Sequence, residues 1–157
     1  MSLNEQLIGT VGLSGLHWLA VLRIGLGVWW LESWRHKDKR GWLERGTGIA
    51  WAKGVAEKHR WSVVKTGFDK TVAPRPKAMA YVVVFGELAV GLGLVLGFIT
   101  PVAAFASILL NLQYFVLMIN DWAEQGQNFM MILASVVLLG THAWNTWSID
   151  HWLHIWS

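Results

Sequence analysis

Twelve of the thirteen Lys and Arg residues lie between Arg35 and Lys77, and the thirteenth, Arg23, stands alone inside an apolar stretch. A charged side chain is costly at mid-bilayer, and Lys and Arg of short loops are retained on the cytoplasmic side. One basic block set among apolar runs therefore points to a polytopic membrane protein of fixed orientation. With 54% hydrophobic and 15% charged residues and 12 Trp in 157 positions, the chain is too apolar for a soluble domain of its size. Cysteine is absent, which excludes disulfides, thiolate metal sites and thiol redox chemistry on this polypeptide. The basic pI of about 9.5 arises from the 35–77 block and reads as membrane topology plus anionic headgroups, not nucleic acid. The start, Met1 to Thr10, lacks a basic region ahead of a short apolar core, so no cleavable signal peptide is expected.

Four apolar segments, about 16–34, 78–98, 101–119 and 128–147, each approach the ~20 residues that cross a bilayer at 1.5 Å per residue. The expected fold is all-α, a polytopic membrane four-helix bundle forming a single domain over residues 1–157. Ile99-Thr100 is the whole link between the second and third segments, with Thr100 placed to cap the third helix and Pro101 in its first turn. The link 120–127 is short and acidic. With the basic block in the cytoplasm, both termini fall outside an inner membrane. Trp18, Trp29, Trp30, Trp34, Trp122, Trp144 and Trp147 fall near segment ends, where indole rings anchor at headgroup level.

The segment 35–77 holds twelve basic residues against Asp38, Glu44, Glu57 and Asp69, a net +8. Trp42, Ile49, Trp51, Val55, Trp61 and Phe68 are interleaved with the cations, as in short amphipathic helices lying in the headgroup plane or docking a cytoplasmic partner. Gly41, Gly46, Gly48, Gly54 and Gly67 argue against one continuous helix.

Polar residues inside a membrane are functional hypotheses by default. Counting helical rises, Arg23 lies ~10 Å and Glu87 and Asn111 ~15 Å below the outer boundary, an offset an Arg side chain spans. Arg23 and Glu87 are thus expected to pair, with Asn111 at the same depth. The cluster is either an ion pair that fixes helix register or a pocket for a quinone headgroup or a proton. A second set, Glu32, Arg35 and His36 with Gln127 and Asn128, could gather at the cytoplasmic mouth, although simple capping and snorkelling are the favoured account of such interfacial residues. No His spacing is diagnostic of haem or zinc, so no metal is expected. Gly86, Gly93 and Gly97 with Val90 share one face of the second helix, and Gly25 and Gly27 thin the first, which would draw the Arg23 and Glu87 backbones together. The tail from Ser148 to Trp156 reads as an amphipathic segment along the outer face, with Ile149, Trp152, Ile155 and Trp156 toward lipid.

The stretches Leu22 to Trp30, Gly86 to Pro101 and Asn145 to Leu153 together resemble the DoxX/DoxD family of four-helix membrane proteins. The resemblance covers most of the chain outside 35–77, whose long basic form departs from the compact family pattern. It implies a four-helix fold and association with membrane redox complexes, DoxD being the membrane subunit of a thiosulfate:quinone oxidoreductase. Two function classes follow. One is a quinone-linked redox subunit with Arg23, Glu87 and Asn111 holding the headgroup, quinone as its cofactor with no haem, flavin or metal, and a partner subunit bringing electrons. The other is a non-catalytic accessory or scaffolding subunit that packs against the lipid bilayer, neighbouring subunits or copies of itself.

Overall fold

A computed structural model of the protein describes residues 14–156, so the signal-peptide expectation at residues 1–10 lies outside the described residues. Those residues form eight α-helices and one 3-10 turn, with no strand among them. The helices are α1 (Gly15–His36), α2 (Lys39–Leu43), α3 (Thr47–Glu57), α4 (Ser62–Thr71), α5 (Pro76–Leu96), α6 (Thr100–Leu117), α7 (Trp122–Gly140) and α8 (Ile149–Trp152), the turn being Ala143–Asn145. Both α5 and α6 are long and apolar enough to cross a membrane. Although α1 and α7 match them in length, they carry more polar residues.

The helix ends follow local chemistry. Ser14 and His17 close a capping box at α1, and Pro76 and Pro101 occupy first turns, where a missing N–H costs nothing. The acidic link expected over 120–127 is instead largely helical. The Asp121 side chain accepts from the amides of Ala123 and Glu124 at 3.1 and 3.2 Å, starting α7 six residues earlier than hydrophobicity alone places it. The helix ends correspondingly early, leaving Trp144 and Trp147 in the tail.

Helix α1 packs along α5, α5 along α6, and α6 along α7, with a thinner contact returning from α7 to α1. Leu26, Trp30, Val90, Leu94, Ala104, Leu110 and Leu138 belong to the shared core. Trp30 is therefore no interfacial anchor: it is 3% exposed and its indole donates to Ser107 Oγ at 3.0 Å. The glycine pattern also divides differently from expectation. An added Cβ at Gly93 would meet Ala103 of α6, and one at Gly86 would approach Leu110, so that stripe faces α6. The close α1–α5 approach is made at Gly27 and Gly91, where a Cβ would come within 2.7 Å of Val95 N and of Leu31 Cδ2 respectively. Gly27→Ala is expected to lower stability by about 1–3 kcal/mol in detergent unfolding, because backbone cannot yield as a side-chain tip can. Gly25→Ala is the control. Nothing lies within 4 Å of a Cβ there, so it should be neutral or slightly stabilising.

The basic segment forms three short helices, α2 to α4, and these carry a core of their own. Ile49, Ala52, Ala56 and Phe68 pack with Ala80 of α5, flanked by Trp42, Val72 and Leu117. His59 fastens this cap to α6: its Nδ1 accepts from the Trp61 amide at 3.0 Å and its Nε2 donates to the Val116 carbonyl at 2.9 Å. The segment is thus a folded cap across one end of the long helices, hereafter the basic end.

Candidate functional site

The two buried charges of the long helices turn to opposite halves of the molecule. Arg23 is fully buried and its guanidinium donates to the carbonyls of Ala143 (3.1 Å), Thr146 (3.3 Å) and Trp147 (2.5 Å). Its Nη1 lies beside Gly97, at the end of α5 remote from the basic cap. Glu87 lies ten residues before Gly97, about 15 Å along the same helix, and pairs with Lys37 Nζ at 3.2 Å. The expected Arg23–Glu87 pair is therefore replaced by two separate sets. The reason is the direction in which helical side chains project: Cα–Cβ bonds tilt toward a helix N-terminus. Helix α1 begins at the tail end and α5 at the basic end, so Arg23 and Glu87 lean away from each other.

At the tail end, Asp150 completes the set that holds Arg23. It is 2% exposed, and its two carboxylate oxygens accept from the amides of Ile99 and Thr100, each at 2.7 Å. Asp150, not Thr100, thus caps α6, where the helix dipole favours an anion. Ile99 is held at φ 45° and Gly97 at φ 64°, and the Asp150 amide returns a bond to the Gly97 carbonyl at 2.8 Å. The tail is consequently a buried clamp over the α5–α6 turn, while Trp152, Ile155 and Trp156 stay exposed as expected.

At the basic end a cavity of about 300 Å³ opens between α1, the cap, α6 and α7. Its polar wall includes Lys37, Glu87, Asn111, Tyr114, Gln127 and Asn128, with Ser33 and Glu124 beside them, and its apolar wall is largely Trp29, Trp30, Trp42, Trp51 and Met131. Tyr114 donates its hydroxyl to Glu87 Oε1 at 3.1 Å, and the Lys37 ammonium also lies 4.3 Å from the centre of the Trp42 ring. Glu87 Oε2 is buried without a hydrogen-bond partner. Asn111 donates to the Ser107 carbonyl at 2.9 Å, and Ser135 donates to Ser107 Oγ at 3.0 Å, which continues the polar seam between α6 and α7.

Of the residues singled out from sequence, Glu87, Asn111, Gln127 and Asn128 share this cavity and Arg23 does not. Glu32 lies one step outside, bonded to Arg35 at 2.7 Å, and lines a neighbouring cavity with Ser33, His36, Glu124 and Gln127. Sequence reasoning missed Lys37 and Tyr114. Lys37 was absorbed into the basic block, although it is the first lysine after α1. Tyr114 follows Asn111 by three residues on one helix face, a spacing that could have revealed it.

The described residues are thus all-helical, with two helices long and apolar enough to cross a membrane beside an aromatic-walled polar cavity. The DoxX family model matches residues 18–120, well over half of the sequence, and the chain belongs to the DoxX family of membrane proteins. That match includes Lys37, Glu87, Asn111 and Tyr114 and stops before Asn128 and Asp150. No curated protein and no solved structure matches the chain.

Proposed function

We propose that this chain is an integral membrane subunit of a quinone-linked redox complex, with the polar cavity at the basic end receiving the quinone headgroup. The observation that carries the reading is that Glu87, whose Oε2 is buried with no donor, lines a cavity that also holds a lysine and four tryptophans. A buried acceptor left unpaired costs about 1–3 kcal/mol, which a ligand hydroxyl would recover. Lys37 is placed to donate to a quinone carbonyl, and Glu87 Oε2 to accept from a quinol hydroxyl. The flat indoles suit a planar ring.

In this reading α1, α5, α6 and α7 form a four-helix bundle across an inner membrane. The cap of α2 to α4 lies on the cytoplasmic side and both termini lie opposite. A partner subunit exchanges electrons with the headgroup, since the cysteine-free chain offers no thiol for the purpose.

The test is a titration of the purified protein in lipid nanodiscs with a quinone, followed by tryptophan emission. Trp29, Trp30, Trp42 and Trp51 wall the cavity, so the expected result is saturable quenching. Quenching that only rises linearly with membrane quinone would contradict the reading and favour the accessory-subunit alternative.

A further inference from the structure

A second cavity, of about 470 Å³, lies between α3 and α4 of the cap and the basic-end halves of α5 and α6. Its walls are mostly apolar, among them Ile49, Phe68, Val83 and Leu117, with Thr71 and Gln113 as polar members. It shares three residues with the headgroup cavity: Trp42, Trp51 and Tyr114. Tyr114 belongs to this shared wall and donates its hydroxyl to Glu87. At the far rim, Val82, Leu109 and Leu112 line the cavity and are 56%, 52% and 47% exposed. The apolar space therefore adjoins the polar cavity at these shared residues and reaches exposed apolar side chains of α5 and α6.

We propose that this groove holds the isoprenoid tail of the quinone, so that the site selects prenylated quinones and admits them from the bilayer between the cap and the α5–α6 face. The inference rests on the quinone reading of the neighbouring cavity and adds to it a tail subsite, an entry route and a substrate class. A polar chamber that shares an amphipathic tyrosine with a larger apolar one matches an amphiphile with a compact polar ring and a long hydrocarbon chain. The groove volume lies within the ~300–1,000 Å³ of pockets that enclose organic ligands. Another apolar cleft, between α1 and α7 and walled by Leu22, Leu26 and Met131, also borders the headgroup cavity. It is shallower and opens broadly to the surface, which makes it the competing route.

Two glycines separate these routes cleanly. Gly67 lines the proposed tail groove and Gly25 the α1–α7 cleft, and at neither would an added Cβ meet any atom within 4 Å. A larger side chain can therefore be introduced at either lining position without a clash at its Cβ. In nanodiscs, wild type, Gly67→Leu and Gly25→Leu are titrated with a quinone bearing several prenyl units and with the same ring lacking a tail, each expressed as mole fraction in the membrane. Gly67→Leu is expected to weaken binding of the prenylated quinone at least about fivefold, by loss of buried hydrocarbon, and to leave the tail-less quinone unchanged. The unchanged tail-less affinity also shows that the variant is folded. Gly25→Leu should alter neither. Equal effects of Gly67→Leu on both quinones, no effect on either, or a selective loss in Gly25→Leu would overturn the tail assignment while leaving the headgroup site standing. If wild type binds neither quinone saturably, the headgroup reading fails and the tail subsite with it.

Discussion

Arg23→Ala is expected to lose about 3–5 kcal/mol of folding stability, the largest effect of any substitution in the long helices outside the cavity. The guanidinium donates to three tail carbonyls from a fully buried position, and the acidic cap of α6, Asp150, lies in the same clamp. Removing it leaves those carbonyls without their donor, takes away a positive charge that interacts with the Asp150 carboxylate and opens a void. Asp150→Asn should cost less, about 1–3 kcal/mol, because an amide offers one acceptor where the two α6 amides need two. Thermal unfolding of the detergent-solubilised variants measures both. The quinone affinity of whatever Arg23→Ala protein folds should be close to wild type, since the clamp and the cavity share no residue. Wild-type stability in Arg23→Ala, coupled with lost quinone binding, would instead return Arg23 to the ligand site.

The long helices, the tight α5–α6 turn and the interrupted basic segment are legible in the sequence because each rests on a local rule: apolar length, proline at a first turn, glycine spacing. The burial of Arg23, Glu87 and Asn111 is legible too, from the cost of charge in an apolar run. Pairing was not. Depth in the membrane is counted at Cα atoms, where Arg23 and Glu87 differ by only ~5 Å, whereas their charged ends lie several ångströms away, in opposite senses set by opposite helix directions. Asp150 was hidden for another reason. It belongs to a four-residue helix in a tail with an amphipathic pattern, and its role depends on a contact fifty residues distant in sequence. Lys37 looked like one cation among twelve until the cap folded back over α5.

Glu87→Gln should separate binding from folding. The glutamine carbonyl can still accept from Tyr114 and Lys37, so the local structure is retained and stability should change by no more than about 1 kcal/mol. What is lost is the second acceptor, Oε2, whose place is taken by an amide that donates. A hydrogen bond to a charged partner contributes about 1.5–3 kcal/mol, so quinol binding should weaken roughly ten- to a hundredfold. Quinone binding, which draws on the Lys37 donor, should fall less. A purely structural role for the Lys37–Glu87 pair gives the opposite pattern, with stability falling and ligand affinity unaffected.

The most direct measurement is therefore anaerobic equilibrium binding of labelled quinol to wild type and to Glu87→Gln in nanodiscs, with unfolding followed on the same samples. A saturable wild-type site that weakens at least about tenfold in the variant, at nearly unchanged unfolding temperature, is the predicted result. Equal quinol affinity in the two proteins would contradict the assignment of the Glu87 cavity as the quinone site.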